Sequence, residues 1–354
     1  MQPTHQKTLH RFAAKADTTR TLHPRQQAVI HQSDWLRMLA PKAAGGAETN
    51  LPHAVRLEEE IAETDGSTAW LVTLCAGAGW FAGFLPPDLA KEILKTRRLC
   101  IAGSGAPTGA AHRKDNTENW RLTGHWTHAT GAPFATHFTM NAVLHEAGVP
   151  LRDGKGAPRI SAFIVPAEKV TTVPGWPGIG LRSTGTHGFV LNEVEVQNSQ
   201  MFDIRPDAAT APGPLYQFPF QSLAWVTLAA NLSGMARHFL DLAQAHVTSR
   251  WPDETSRPAA HRVLAESKTL FTTTRKTFYD ALDAAWSTVC RHGGLPEKDQ
   301  QALAEASRAL VAAARRAVDE TYPCCGLLAA DEGSELNRVW RDLHTATQHA
   351  MLAP

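Results

Sequence analysis

The chain has 354 residues, of which 43% are hydrophobic and 19% are charged, a composition typical of globular proteins. Its 35 Lys and Arg residues nearly balance 34 Asp and Glu residues, and no basic run interrupts the sequence. This balance argues against nucleic acid or an anionic membrane as a partner. The length exceeds what one hydrophobic core usually organises, so we expect two or three subdomains.

Cysteine usage and the N-terminus predict a cytoplasmic protein. The five cysteines show neither a CxxC motif nor a paired spacing, so the sequence predicts no metal site and no disulfide framework. Residues 1–5 lack the apolar run of a signal peptide. The most apolar stretch, residues 69–85, is shorter than a membrane span and contains three glycines, which predicts a buried helix.

Residues 1–96 predict an N-terminal α-helical domain. The first 30 residues are polar and weakly patterned, whereas later segments show apolar side chains at helical spacing. Asp65 or Ser67 can cap the most apolar of these helices. Helices are predicted over residues 26–39, 51–64, 68–84 and 89–95.

Residues 97–205 predict a β-domain, built as a barrel or a sandwich. Short runs of alternating apolar and polar residues follow one another, separated by Gly, Pro, Asn or Asp. Asp115-Asn116 and residues 153–156 have the composition of hairpin turns. Strands are predicted over residues 99–103, 120–126, 134–143, 160–165 and 188–196.

Residues 206–354 predict a four-helix bundle. A proline-rich linker over residues 206–219 precedes long segments with helical periodicity, and short connections between long helices favour antiparallel packing. The predicted helices span residues 220–248, 259–290, 297–321 and 337–354.

The last of these helices carries the strongest candidate for acid–base chemistry. At helical spacing, Asp342, Thr345 and His349 share one face. A histidine titrates near neutral pH, so His349 is a candidate proton donor or acceptor. The alternative is a solvated terminal helix whose histidine interacts with the helix dipole.

Several motifs, in a consistent order, resemble the acyl-CoA dehydrogenase superfamily. They lie at residues 59–70, 102–109, 122–132 and 180–187, and at Trp340-Arg341-Asp342. The resemblance implies an α+β multi-domain fold, with an N-terminal helical domain, a central β-barrel and a C-terminal four-helix bundle.

Within the superfamily the chain is most similar to the two-component monooxygenases that use reduced flavin. Dehydrogenases carry a Thr-Glu-Pro motif where residues 103–107 read Gly-Ser-Gly-Ala-Pro, and many place a catalytic Glu where this chain has His349. Abstraction of a proton from a thioester needs a carboxylate, whereas a hydroxylase needs a group that manages protons near neutral pH. The resemblance implies reduced FMN or FAD from a separate flavin reductase, and hydroxylation of a small, aromatic substrate by O2 through a C4a-hydroperoxyflavin.

The resemblance also assigns flavin contacts. Thr130 matches the Ser or Thr that bonds flavin N5, and His128 stands where the family places an aromatic ring over the flavin. Strand alternation would keep Trp126 on the same face as His128, so either could be the contact. Ser104 and Gly105 could offer backbone N–H groups to the pyrimidine oxygens.

One further cofactor residue and the assembly follow by analogy only. Arg250 stands where dehydrogenases bind the FAD pyrophosphate of a neighbouring subunit, but the Phe-Gly that normally follows is replaced by Trp251-Pro252. FMN therefore stays an option beside FAD. The family's bundles pack as homotetramers. Two alternatives remain open: a flavin dehydrogenase acting on a thioester, and a non-catalytic member that binds flavin or a protein partner.

Overall fold

A computed structural model describes residues 1–114, 117–253 and 255–352 of the chain. Helices come first, a β-sheet follows, and helices return, in the order that the sequence predicts. The predicted turn at Asp115-Asn116 lies outside the described residues. The helices are α1 Pro3–Thr19, α2 Pro24–Gln32, α3 Leu51–Ala62, α4 Gly66–Trp80, α5 Pro87–Leu94, α6 Pro214–Gln217, α7 Phe220–Arg250, α8 Pro258–His292, α9 Glu297–Thr321, α10 Leu327–Ala330 and α11 Glu335–Ala346.

The N-terminal helices differ from the prediction at two places. Helix α1 lies in a stretch with little pattern, because only a narrow stripe around Leu9, Ala13 and Ala16 is buried. The helix predicted over residues 26–39 ends early, since Asp34 adopts a left-handed backbone conformation with φ 53° before a short 3-10 turn.

Helix α4 is a core helix, as its apolar sequence predicts. Together with the 3-10 turn that follows, it is long and apolar enough to cross a membrane, but 83% of that window is buried inside the fold. Asp65 caps it by accepting a hydrogen bond from the backbone N–H of Thr68 (3.1 Å). Gly79 allows close packing, because a Cβ there would lie 2.6 Å from the carbonyl oxygen of Leu36.

The middle of the chain forms one sheet, and the prediction of a closed barrel is wrong. The strands are β1 Ile101–Arg113, β2 Trp120–Ala129, β3 His137–Glu146, β4 Val149–Pro150, β5 Ile160–Pro166, β6 Thr171–Val173, β7 His187–Val196 and β8 Met201–Phe202. Their order is β6-β7-β2-β1-β3-β5-β8, with β4 beside β3. The two short end strands do not pair with each other, so the sheet stays open.

The helices from both ends of the chain share one hydrophobic core. It contains Leu9 of α1, Val55 of α3, Leu232 of α7 and Leu343 of α11, whereas a second core fills the inner side of the sheet around Phe163. Helix α7 contacts α3, α9 and α11, and α8 packs along α9. The division into three domains and the four-helix bundle remain predictions.

The C-terminal helix is shorter than predicted. It ends at Ala346, and residues 347–352 form turns. The hydroxyl of Thr347 donates to the carbonyl of His344 (2.7 Å), and the backbone N–H groups of Gln348 and His349 reach carbonyls three residues back. These tighter bonds end the α-helical pattern, so His349 does not continue the helical face of Asp342 and Thr345.

Candidate functional site

A cavity of about 530 Å³ lies where the sheet meets the helices. Its walls come from α4, β1, β3, the start of α7 and the turn after α11. Most of the lining is apolar, and none of the described lining residues is Asp, Glu, Lys or Arg. The lining includes Gly77, Phe81, Ser104, Gly105, Ala106, Thr130, Phe220, Leu223, Leu228 and His349.

A bulge in β1 supplies part of the sheet-side wall. The register between β1 and β3 jumps from Ser104 to Gly109, while β3 advances only from Met140 to Ala142. The intervening residues of β1, among them Gly105 and Ala106, are exposed and leave the regular pairing with β3. The bulge is held because Asn141 donates its side-chain amide to the carbonyl of Gly105 (2.8 Å). The predicted residues Ser104 and Gly105 therefore both line the cavity.

Thr130 lines the same cavity, directly after the end of β2. Its side chain is buried, and its hydroxyl lies 3.0 Å from the hydroxyl of Thr186. Its carbonyl accepts a weak hydrogen bond from the thiol of Cys75 (3.6 Å). The residue is thus fixed on both sides by polar contacts, rather than being an ordinary exposed strand threonine.

His349 reaches the cavity from the turn after α11. Its Nδ1 accepts a hydrogen bond from the backbone N–H of Met351 (3.3 Å), and its ring lies edge-on to Trp70 with 5.7 Å between centroids. Burial lowers its pKa, and the nearby His128 lowers it further. The imidazole is therefore neutral at pH 7, and its remaining proton sits on Nε2, where it can be donated.

The structure separates Trp126 from His128. Trp126 is fully buried in the sheet core, stacked on Phe189 with centroids 5.2 Å apart. Gly109 makes room for it, because a Cβ there would lie 2.1 Å from the indole ring. His128 is exposed, with a left-handed φ of 62° at a break in the pairing of β2 with β7. The expectation that the two side chains share a face is wrong, because this break interrupts the alternation. Neither Trp126 nor His128 is among the described residues that line the cavity, and a flavin contact of either stays a prediction.

Arg250 lies far from the cavity within one chain. It is the last residue of α7, whereas Leu228, in the third turn, lines the cavity. At a rise of 1.5 Å per residue, the intervening helix is roughly 33 Å long. The guanidinium of Arg250 is exposed and stacks on Trp251 at 5.0 Å. A role for Arg250 in holding a cofactor would therefore require a second copy of the chain.

The Arg341-Asp342 pair positions the site and does not line it. Arg341 pairs with Asp17 (2.8 Å) and donates to the carbonyl of Ile179 (2.7 Å). Asp342 accepts a hydrogen bond from the backbone N–H of Leu181 (2.5 Å), and burial raises its pKa to about 7. These contacts fasten α11 to the loop that precedes β7.

The family comparison starts from the C-terminal part of the chain. Residues 226–354 match the family described as acyl-CoA dehydrogenase, C-terminal domain. The acyl-CoA dehydrogenase-like fold predicted from the sequence is thus confirmed in its combination of helices and sheet.

Relatives of this acyl-CoA dehydrogenase-like chain are named as monooxygenases. Over 98% of the chain and 92% of the relative, it is 24% identical to the flavin-dependent monooxygenase, oxygenase subunit HsaA, of Rhodococcus jostii. The crystal structure of 3-HSA hydroxylase from Rhodococcus sp. RHA1 matches with a TM-score of 0.91 at 20% identity, covering 99% of this chain and 92% of that one. XiaF from Streptomyces sp., in complex with FADH2 and glycerol, matches with a TM-score of 0.88 at 22% identity, covering 99% and 89%. The predicted resemblance to the reduced-flavin monooxygenases is confirmed.

In this acyl-CoA dehydrogenase-like chain, the residues of α4 and α7 that line the cavity were not predicted from the sequence. Gly77 was interpreted as a packing glycine, but a Cβ there would meet no described atom within 4 Å, because it faces the cavity. Phe220 and Leu223 lie in the helix predicted over residues 220–248 and also line the cavity. Helical periodicity marks a buried face without distinguishing packed atoms from a cavity wall, so no local signal could have found them.

Proposed function

We propose that the chain is the oxygenase component of a two-component monooxygenase, which takes reduced FMN or FAD from a separate reductase and hydroxylates a small aromatic substrate with O2. The observation that carries this proposal is the shared cavity of Thr130 and His349, without a carboxylate among its described lining residues. The relationship to flavin-dependent monooxygenases supports it.

The sheet-side wall fits the polar edge of a flavin. The backbone of Gly105 and Ala106 leaves the regular pairing at the β1 bulge, and its N–H groups would suit the carbonyl oxygens of the pyrimidine ring. The hydroxyl of Thr130 suits the nitrogen at the centre of the flavin, and His128 can cover the ring from the exposed end of β2. When bound, a reduced flavin would supply the electrons that activate O2.

The helix-side wall favours a neutral aromatic substrate. Phe81, Phe220 and Leu223 offer apolar surface, and the described lining has no cation to receive a carboxylate or phosphate. An unpaired charge transferred from water to such a surface loses its hydration without compensation. Flat, uncharged phenols or indoles therefore match the cavity better than acids or acyl-CoA thioesters.

His349 would act on the substrate or the flavin edge as a neutral hydrogen-bond donor. Its Nδ1 is occupied by the backbone of Met351, so Nε2 carries the proton. Burial disfavours the imidazolium form, which keeps the donor neutral across physiological pH. A donor at this place can orient a phenol oxygen and stabilise negative charge that develops on it.

The dehydrogenase alternative lacks its base in this structure. Removal of a proton from a thioester requires a carboxylate at the cavity, and the described lining residues include none. Asp342 is buried behind the cavity wall and bonded to Leu181, so it is not available as a base. A non-catalytic member that binds flavin or a protein partner is the second alternative.

Assembly and location extend the proposal by analogy. A homotetramer would bring Arg250 of one copy towards the flavin of another, where a guanidinium could bind the phosphates of FAD or FMN. The relatives named above are consistent with a cytoplasmic enzyme.

The test uses the full chain, FMN or FAD reduced by an unrelated reductase, O2 and a panel of neutral phenols and indoles beside their carboxylated analogues. Product mass is measured. The proposal predicts gain of one oxygen atom by neutral compounds in preference to the acids. If no compound gains oxygen although reduced flavin binds, the non-catalytic alternative is favoured. Reduction of the oxidised flavin by an acyl-CoA would favour the dehydrogenase.

A further inference from the structure

The helix-side wall of the cavity carries two threonine hydroxyls. Thr73 and Thr227 are the polar side chains among the described lining residues of α4 and α7. Both are buried, with 3% and 4% exposure respectively. Their hydroxyls are engaged differently, and this difference determines what each can offer to a molecule in the cavity.

Thr227 is bonded to its own helix. Its hydroxyl donates to the carbonyl of Leu223 (3.0 Å) and lies 3.1 Å from the carbonyl of Ala224. Thr274 and Thr321 bond in the same way to the carbonyl four residues earlier. This arrangement is common for a threonine inside a helix, and it occupies the hydroxyl proton. Thr227 therefore has no proton ready for a ligand.

Thr73 is bonded to a neighbouring helix instead. Its hydroxyl oxygen accepts a hydrogen bond from Nδ2 of Asn231 on α7 (2.9 Å). Within the described part of the chain, it makes no bond to the carbonyl of Ala69, which lies one turn earlier on α4. A hydroxyl that accepts in one contact still has its own proton to donate in another. Thr73 thus presents to the cavity a donor that α4 does not use.

Asn231 holds this arrangement in place. It follows Thr227 by one turn on α7 and is fully buried. Among the described residues, Thr73 is the hydrogen-bond partner of its side chain, and its Oδ1 has none. If Thr73 turned back towards Ala69, the whole amide would be buried without a partner, which is costly. The amide therefore keeps the hydroxyl of Thr73 away from the carbonyl of its own helix.

We propose that Thr73 is a specificity-determining residue, positioned by Asn231, that binds a second neutral acceptor group of the aromatic substrate. His349 offers one donor and Thr73 offers another from the helix-side wall. The two donors fit a ring with acceptor oxygens at two places, a phenol oxygen and a carbonyl, ether or hydroxyl oxygen elsewhere. A ring without the second oxygen would bury the hydroxyl of Thr73 without a partner. The inference rests on the proposed function, because it names the substrate class of that site.

The experiment measures equilibrium binding of two phenols of similar shape to the full chain, with reduced FMN present and without oxygen, so that no turnover occurs. In para-hydroxyacetophenone a carbonyl oxygen stands where para-isopropylphenol has a methyl group. Thr73→Val keeps the shape of the side chain but removes its hydroxyl. It should shift the ratio of the two dissociation constants about fivefold in favour of the isopropyl compound, the size of one neutral hydrogen bond. Thr73→Ser should restore the wild-type ratio, and Thr73→Ala replaces the valine variant if that protein does not fold.

Thr227→Val is the matched control, because it removes from the same wall a hydroxyl whose proton is already bonded. It should leave the ratio of the two dissociation constants unchanged. Asn231→Leu tests the positioning role. Thr73 can then bond to the carbonyl of Ala69, so the ratio should shift in the same direction as in Thr73→Val, although Thr73 itself is intact. An unchanged ratio in this variant would contradict the role of Asn231.

The outcomes separate the inference from the proposed function. Equal losses of affinity for both phenols in the Thr73 variants, an equal shift in Thr227→Val, or failure of both phenols to bind would overturn the inference. Oxygen is then admitted and product mass is measured. Gain of oxygen without discrimination between the phenols would overturn the inference alone. Discrimination that depends on Thr73, without gain of oxygen by either phenol, would support the inference and contradict the assignment as an oxygenase.

Discussion

The two walls of the cavity offer different kinds of contact. The sheet-side wall and the turn after α11 present polar groups: the backbone of the β1 bulge at Gly105, the hydroxyl of Thr130 and a donor at His349. The helix-side wall presents apolar side chains and unfilled space beside Gly77. The difference suggests a division of labour, in which the first wall holds the reacting groups and the second selects the substrate by shape. Substitutions on each wall should therefore have separable effects.

The largest effect is expected at His349 on the polar wall. His349→Ala removes the donor, and the hydroxylation rate should fall about 100-fold, since positioned proton donors contribute on this order. Affinity for reduced flavin should stay nearly unchanged. Product formation and flavin binding are measured on the same preparation.

His349→Gln serves as the control for the chemical role of His349. A glutamine amide can donate where Nε2–H does but cannot take up a proton, so it should retain a substantial part of the rate if His349 is a neutral donor. A glutamine variant as inactive as the alanine variant would show that His349 works as a base.

The next largest effect is expected at Gly77 on the apolar wall. Gly77→Leu fills the open place and should lower kcat/KM about tenfold or more for a bulky substrate such as an indole, and less for a small phenol. Gly77→Ala is the control, because it adds one methyl group and improves helix propensity. Steady-state kinetics with both substrates measure the effect. Equal losses for both substrates would show that this wall does not select by shape.

A smaller effect is expected at Thr130. Thr130→Val keeps the shape but removes the acceptor, so more of the reduced flavin should be consumed without product. The fraction lost as hydrogen peroxide should rise several-fold, an effect comparable to loss of one hydrogen bond. Thr130→Ser retains the hydroxyl and should behave as the wild type. Equal coupling in all three proteins would make Thr130 a scaffold residue only.

The smallest effect concerns the anchor behind the polar wall. Burial raises the pKa of Asp342 to about 7, above its unfolded value. The folded chain therefore binds the carboxyl proton of Asp342 more tightly than the unfolded chain does. The stability that this protonation contributes is lost as pH rises from about 4 through 7. Asp342→Asn keeps an acceptor for Leu181 and lacks this titration. The Tm of the variant minus the Tm of the wild type should increase by a few degrees between pH 5 and pH 8, as measured by thermal denaturation. A constant difference would mean that Asp342 stays ionised in the fold.

The local sequence pattern predicts a helix or strand correctly when the residues that determine it lie within one stretch of the chain. Helix α9 was predicted at its observed bounds, Glu297–Thr321, because Pro296 precedes it and apolar residues recur at helical spacing throughout. Helix α1 was missed because part of what holds it is distant: Asp17 pairs with Arg341, 324 positions away. The prediction of a barrel was wrong because closure of the sheet depends on whether its two end strands pair. The sequence of a single strand does not determine this pairing.

The residues of the candidate site that belong to a family motif were predictable from the sequence. Arrangements that arise only when the chain folds were not. Ser104, Gly105, Thr130 and His349 were predicted through family motifs and line one cavity. The shared face of Trp126 and His128 was wrongly predicted, because strand alternation was extended through a break that only the pairing of β2 with β7 reveals.

The most direct measurement is the mass of the product formed from a neutral phenol or indole under ¹⁸O2 and under ¹⁶O2, with reduced flavin supplied. Transfer of one atom from molecular oxygen predicts a product two mass units heavier under ¹⁸O2, and none when the reductant is omitted. A product with the same mass under both gases, or no product from any neutral aromatic compound while reduced flavin is bound, would contradict the assignment as an oxygenase.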